Sequence, residues 1–316
     1  MTQKGQNMKK LVSTTGLSEE EWLAYRKRGI GGSDAGAVCG LNPYSSPMNV
    51  YQDKISDAIE KKDNEAMRLG RDLEDYVAQR FMEETGLKVR KANAMFYDEE
   101  NPFMLADVDR LIVGEKAGLE CKTVNAYSAD KWENGNIPPH YQIQCYHYMA
   151  VLGLDAWYIA ALIFGKGLVY YKILRDESVI KNLRSIEKDF WQNHVEKKNP
   201  PEADGSDAFD AWIKGAFPKA DAEKAVHLQG FDEGLKRRME VAELIKKLTK
   251  EKNEIEQKIK VYMGNAESAE NENFRVYWKN IESNTLDTAR LKEEMPDVYK
   301  KYSKISLNRR FTVKAA

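Results

Sequence analysis

Apolar residues recur every four positions at Leu69, Leu73, Val77 and Phe81, drawing one stripe along a helix from Asn64 to Thr85 that Gly86 ends. The period then shortens to two. Val89 to Phe96, Met104 to Val113, Gly118 to Val124, Trp157 to Ile163 and Leu168 to Leu174 read as short strands divided by Gly, Asn, Pro and Asp. Between the third and fourth lies a helix, Tyr141 to Leu152, reached through Ile137-Pro138-Pro139. Upstream, Ser18 with Glu21 three residues later spells a capping box before Trp22, and that helix should end at Gly29. A glycine-rich turn from Gly29 to Ser33, a small-residue helix from Asp34, a loop from Asn42 to Pro47 and a helix from Pro47 to about Ile55 follow. A helix from Ser178 to Val195 closes the segment before Asn199-Pro200-Pro201. Such an order predicts an α/β domain with a mixed central sheet flanked by helices.

Past residue 201 the pattern changes. Glu202 to Asp210 is acidic and small, like a linker, so the chain is divided near residue 205 into a main domain, 1–205, and a C-terminal α+β extension, 206–316. Phe231 to about Met263 is a long charged helix with Leu235, Met239, Ala242, Ile245, Leu248 and Ile255 at helical spacing, a stripe for packing on its own domain or for coiled-coil pairing. Asn271 to Lys279 and Lys304 to Val313 alternate like strands, with a helix near Asp287 to Tyr302 between them. No internal repeat is evident.

Composition narrows the function. The 316 residues carry 49 Lys+Arg against 50 Asp+Glu, a net charge of -1, and 42% are hydrophobic. A chain disordered throughout and a generally basic nucleic-acid coat are both excluded. Local grips remain possible: Met1 to Ile30 holds 6 basic against 3 acidic residues and Lys301 to Ala316 holds 5 against 0, whereas Tyr51 to Glu100 holds 9 against 13. Cys39, Cys121 and Cys145 are odd in number and lack CxxC spacing, which predicts a reducing compartment. With no stretch apolar enough for a signal peptide or a membrane span, the expectation is a cytoplasmic protein without membrane partners.

The chemistry-bearing stretch is Asp107-Val108-Asp109, a turn at Gly114 to Gly118, then Leu119-Glu120-Cys121-Lys122. Read as a β-hairpin, it puts Glu120 and Lys122 on one face about 7 Å apart. Asp109, on the adjoining strand, reaches Glu120 across the pair. Two acids and a lysine suit phosphodiester hydrolysis, because hard oxygen ligands hold Mg²⁺ or Mn²⁺ and a lysine donor stabilises developing negative charge. Alternating charges on a solvated strand would look the same. The neighbours matter for that reason. Glu74 follows Gly70 by one helical turn, so the absent side chain leaves space for a metal or substrate. Gln142 and Gln144 open the Tyr141 helix, where an amide can hold a phosphate-bound water. Arg26 and Arg28 precede Gly29-Ile30-Gly31-Gly32-Ser33, whose amides and hydroxyl can cradle a terminal phosphate. Among the aromatic residues Trp132 is the best candidate for stacking on a base, although core is its more ordinary role.

The order Trp22-x-x-x-Arg26, Gly31-Gly32-Ser33-Asp34-Ala35, Asn42-Pro43-Tyr44, Gly70-x-x-Leu73-Glu74, Asp109, Glu120-x-Lys122 and Tyr141-Gln142-Ile143-Gln144 resembles the YqaJ-type viral recombinase family. Lambda exonuclease and related phage alkaline exonucleases belong to that family, within the PD-(D/E)xK nuclease superfamily. The likeness covers roughly residues 18 to 200. It implies a restriction-endonuclease-like core and a phage or prophage enzyme that degrades linear double-stranded DNA from the 5′ end. It also implies a ring-like homotrimer and a single-strand annealing protein of the same phage as partner. By resemblance Asp109, Glu120 and the backbone carbonyl of Cys121 ligate metal, Glu74 supports a second ion, and Lys122 and Gln142 position the attacking water. Two Mg²⁺ ions are implied, with Mn²⁺ as substitute. Arg26 and Ser33 match the 5′-phosphate pocket, with Arg28 and Gln144 as near alternatives to Arg26 and Gln142. Asp107 competes with Asp109 as first-strand ligand, since the two share a strand face; Asp109 is preferred because it is nearer the hairpin turn. An endonuclease and a non-catalytic DNA-end-binding scaffold are the competing readings.

Overall fold

A computed structural model of the chain describes residues 8–58 and 63–314. The basic stretches counted from Met1 and to Ala316 therefore run partly outside the described residues. The chain divides into two compact units, Met1–Ile213 and Lys214–Ala316.

The first unit opens with β1 (Lys9–Ser13), α1 (Glu19–Arg26), β2 (Ile30–Gly31), α2 (Gly32–Val38), α3 (Pro47–Ile55) and α4 (Glu65–Thr85). Ser18 and Glu21 close the expected capping box on α1. Asn64 caps α4, and Gly86, at φ 72°, ends it in the left-handed region that favours glycine. The strands β3 (Val89–Arg90), β4 (Ala94–Tyr97), β5 (Met104–Asp107), β6 (Arg110–Ile112) and β7 (Ala117–Val124) follow. After a 3₁₀ segment come α5 (Pro139–Leu152), β8 (Ala156–Ile163), β9 (Gly167–Leu174) and α6 (Glu177–Phe190), the last running into a π turn, Trp191–Val195.

Among its described residues the first unit holds two sheets where the sequence suggested one. A four-stranded sheet has the order β1-β4-β5-β2 and a five-stranded mixed sheet the order β3-β6-β7-β8-β9. The expected strand from Met104 to Val113 is accordingly broken at Val108-Asp109. Met104 and Leu105 pair with β2, whereas Arg110 and Leu111 pair with β7, so the chain changes sheet between them. The expected strand from Val89 to Phe96 is interrupted too, with Asn93 at φ 53°. β7 and β8 are parallel, and α5 supplies the crossover such a pair needs. Buried residues of α5, including Cys145, Tyr148 and Met149, share one core with Met104 and Ala106 of the smaller sheet and Trp157 and Ile159 of the larger. On the opposite face Val77, Ala78 and Phe81 of α4 cover Leu119, Tyr158 and Ala160. No described helix is long and apolar enough to cross a membrane.

The expected linker, Glu202 to Asp210, is only partly irregular. α7 (Asp207–Ala216) begins inside it, because Ala208, Phe209 and Trp212 pack against a core cluster containing Ile30, Met48 and Phe190. The second unit holds α8 (Asp232–Met263), a hairpin of β10 (Ser268–Glu270) and β11 (Arg275–Tyr277), then α9 (Thr288–Glu294) and α10 (Pro296–Tyr302). The single helix expected from Asp287 to Tyr302 is two, since Pro296 has no amide proton and disfavours helical backbone at Met295, which sits at φ −134°, ψ 60°. Lys304 to Val313 alternates without forming a strand, because none of its residues pairs with a neighbouring strand among the described residues.

Candidate active site

Glu120 and Lys122 project from one face of β7, and the Lys122 ammonium sits 2.6 Å from Glu120 Oε1. The intervening Cys121 turns its side chain to the α4 face. Asp109 lies not on the adjoining strand but in the crossing between β5 and β6, where its Oδ2 accepts a 2.7 Å hydrogen bond from the Cys121 amide. The sheet change thus delivers Asp109 to the strand that carries Glu120. Glu120 is buried, and its Oε1 also accepts from Gln144 Nε2 at 2.7 Å. Gln144 donates as well to the Tyr148 hydroxyl at 3.0 Å. Gln142, expected to position the attacking water, does not reach Glu120 and donates to the Ile137 carbonyl at 2.6 Å. One helical residue step rotates about 100°, so two glutamines two apart cannot both face the same carboxylate.

Burial pushes the Asp109 carboxyl well above its ordinary range, and the nearby Glu120 and Glu74 add to the shift. Glu120 is raised chiefly by burial, against the opposing pull of Lys122. Burial disfavours the Lys122 ammonium, yet Glu120, Tyr141 and Asp109 outweigh it and hold the group above its usual value. Lys122 is therefore a charged donor. Glu120 Oε2 is buried and has no hydrogen-bond partner among the described residues. Two desolvated carboxylates, one of them with an orphaned oxygen, form a hard-oxygen donor set that a divalent cation fits. No group of three or more His, Cys, Asp or Glu side chains is gathered as a complete cage among the described residues. The Glu74 carboxylate is engaged by Arg110, which also pairs with Asp75. Gly70 offers open room: a Cβ there would touch only Thr123 Oγ1, at 3.7 Å.

A second cluster lies across Asp107. Trp22 Nε1 donates to Asp107 Oδ2 at 2.5 Å, and the Arg26 guanidinium covers the Trp22 ring 5.0 Å from its centroid. Arg26 donates to Ser33 Oγ at 3.0 Å. Asp34 accepts from the Gly31 amide at 3.0 Å and from Lys54 at 2.8 Å. Although burial opposes ionisation, Lys54 and Arg26 hold the Asp34 carboxyl down at about 2. Arg26, Ser33 and the Gly31 turn are thus brought together. Arg28 is not: it is exposed and lies over Tyr25, 4.5 Å from the ring centroid. Asp107 belongs to this cluster, whereas Asp109 belongs to the carboxylates. Lys54 and Tyr148 are members the sequence did not disclose, since a lysine in the last turn of a helix and a tyrosine on a buried one carry no distinguishing pattern. Trp132 is 2% exposed, a core residue.

The chain matches the YqaJ-like viral recombinase domain over residues 21–155. It is 38% identical over 308 residues to the uncharacterized protein YqaJ of Bacillus subtilis (strain 168), spanning 96% of this chain and 97% of that one. Among solved structures, an alkaline exonuclease (LHK-Exo) from Laribacter hongkongensis superposes with a TM-score of 0.51 at 20% identity, covering 63% of this chain and 100% of that one. The same exonuclease in complex with dAMP gives a TM-score of 0.50 at 19% identity, covering 64% of this chain and 100% of that one. At such identities the likeness is one of fold, the mixed α/β PD-(D/E)xK type.

Proposed function

The chain belongs to the YqaJ-like viral recombinase family, and we propose that it is a divalent-metal-dependent deoxyribonuclease that degrades linear duplex DNA from phosphorylated 5′ ends. The reading rests above all on the buried set of Asp109, Glu120 and Lys122, with its unpartnered Glu120 oxygen. A buried carboxylate pair with one lysine is costly as a structural device and useful as a cation and phosphate site. When bound, Mg²⁺ or Mn²⁺ supplies the positive charge that offsets the scissile phosphate. Asp109 and Glu120 would hold it, and Gln144 and the Cys121 amide fix their orientation. Lys122 donates to the charge that develops as the phosphodiester opens. Arg26 and Ser33 bind the 5′-terminal phosphate and so place the first internucleotide bond at the carboxylates. Glu74, now paired with Arg110, would be the residue to hold a second ion.

Stepwise removal from a phosphorylated end releases deoxynucleoside 5′-monophosphates, the class to which the dAMP of the exonuclease complex belongs. The product would be a 3′ single strand for an annealing partner, and a homotrimeric ring would keep the enzyme on its substrate. The test follows both strands of an end-labelled linear duplex, beside a covalently closed circle, with Mg²⁺ present. Loss of the 5′-phosphorylated strand with the circle intact is expected. Nicking of the circle would favour an endonuclease, and an undegraded linear duplex across Mg²⁺ and Mn²⁺ concentrations would overturn the enzymatic reading.

A further inference from the structure

Beside the carboxylates lies a cleft of about 360 Å³ that the reaction as described leaves unused. Tyr44, Asn125, Ser128, Lys131, His140 and Tyr141 line it. We propose that this cleft receives an unstacked nucleobase of the substrate strand, the one on the 3′ side of the phosphate being cleaved. The inference rests on the nuclease reading and adds to it a base-binding subsite.

Three observations carry it. The first is the chemistry of the walls. Tyr44 is 78% exposed and stands edge-on to His140, with ring centroids 6.3 Å apart, while His140 and Tyr141 lie 4.0 Å apart. An exposed tyrosine face beside two further rings is a stacking platform, because every base has a π face. Asn125, Ser128 and Lys131 add donors and acceptors for a base edge, and no carboxylate lines the cleft, which disfavours a cationic ligand. Its volume lies toward the low end of the roughly 300–1,000 Å³ of small-molecule sites, enough for one base with its sugar.

The second observation is adjacency. Lys122 bonds Glu120 and also lies 4.7 Å from the centroid of the Tyr141 ring, so one side chain touches both the carboxylates and the wall of the cleft. Thr123, Val124 and Asn125 continue directly from it into the lining.

The third is order. Ser33 of the phosphate cradle stands in the first turn of α2, and Tyr44 follows the far end of that helix, whose seven residues span about 10 Å. Contacts run from Arg26 through Trp22 to Asp107, two residues before Asp109 in the chain, and from Lys122 to Tyr141. A strand whose 5′ phosphate lies at Arg26 and whose next phosphate lies at Asp109 and Glu120 therefore presents its second base to the cleft.

The full-length protein is assayed on 5′-phosphorylated duplex carrying an abasic site at the first or the second nucleotide, and on duplex carrying 2-aminopurine at the second, the latter in EDTA so that nothing is cleaved. The abasic second position should raise KM about tenfold, the abasic first position should not, and 2-aminopurine fluorescence should be quenched on binding. Tyr44→Ala should reproduce the tenfold rise on intact DNA, add nothing on the substrate abasic at position two, and be rescued by Tyr44→Phe. Equal effects of the two abasic sites, or a Tyr44→Ala defect that persists on the abasic second position, would overturn the proposal. If the protein cleaves nothing, the nuclease reading fails on that ground, while the fluorescence of the uncleaved duplex still reports directly on the cleft.

Discussion

Gln144 donates to Glu120 across the gap between α5 and β7, while Gln142, one half-turn earlier, faces the Ile137 carbonyl instead. The two residues are a built-in comparison. Gln144→Ala removes an oriented partner from a buried carboxylate and is expected to lower kcat roughly 10- to 100-fold, whereas Gln142→Ala should change it by less than about threefold. Steady-state rates on phosphorylated duplex decide between them.

Arg26 and Arg28 form a second such pair, two residues apart with different destinations. Arg26 reaches Ser33 and Asp34, whereas Arg28 lies over Tyr25. Arg26→Ala should reduce the preference for a 5′-phosphate over a 5′-hydroxyl end by roughly 10- to 100-fold, and Arg28→Ala should leave the ratio intact. An equal loss of rate on both kinds of end would contradict the role given to Arg26.

The carboxylates are set up to be stabilised by a cation. Adding Mg²⁺ is expected to raise the melting temperature of the wild type, since whatever binds only the folded state stabilises it. Asp109→Asn combined with Glu120→Gln should abolish that rise and all cleavage.

His147 is a buried imidazole with an acceptor at each nitrogen. Its Nε2 donates to the Leu105 carbonyl at 2.8 Å and its Nδ1 lies 2.8 Å from Glu187. Burial pulls His147 down, but Glu187 and the Leu105 carbonyl outweigh it and hold it above its ordinary 6.5. Glu187 is raised too, by burial foremost. Both folded-state values exceed the unfolded ones, so the folded chain binds more protons and the pair's contribution to stability declines as pH rises, from about 4.5 for Glu187 and from about 6.5 for His147. Melting temperatures from about pH 6 to about pH 9 should fall more steeply for the wild type than for the neutral His147→Gln, Glu187→Gln pair.

Two glycines separate crowding from vacancy. A Cβ on Gly118 would lie 2.3 Å from the fully buried Trp157 ring, so Gly118→Ala should cost about 1–3 kcal/mol in denaturant unfolding. At Gly70 the nearest atom is 3.7 Å away, and Gly70→Ala in the middle of α4 should stabilise by about 0.5–1 kcal/mol. If Gly70→Ala is stable yet slower on DNA, the space beside Glu74 is occupied by substrate.

Local chemistry explains what was legible in the chain. The stripe Leu69, Leu73, Val77, Phe81, the Ser18–Glu21 box and the Gly86 stop are interactions within a few residues, and each appears in the structure where the pattern put it. The spacing of Glu120 and Lys122 belongs to the same class, because strand parity alone puts them on one face. What could not be read required partners distant in sequence. Val108-Asp109 looks like continuous strand until β2 and β7 compete for its flanks. Glu74 looks free until Arg110, 36 residues away, closes on it. Gln142 and Gln144 are equivalent as letters and differ only in where α5 turns them. Pro296, by contrast, was a local signal outweighed by the helical composition around it.

The crossing at Val108-Asp109 has one more consequence. Upstream of it, β5 is registered against β2, which leads into the Ser33 turn; downstream, β6 is registered against the strand that bears Glu120. In the proposed reaction this two-residue span would fix how far the Arg26 and Ser33 cradle stands from Asp109 and Glu120. The size of the piece released in the proposed reaction would then depend on the backbone between two sheets rather than on any single side chain.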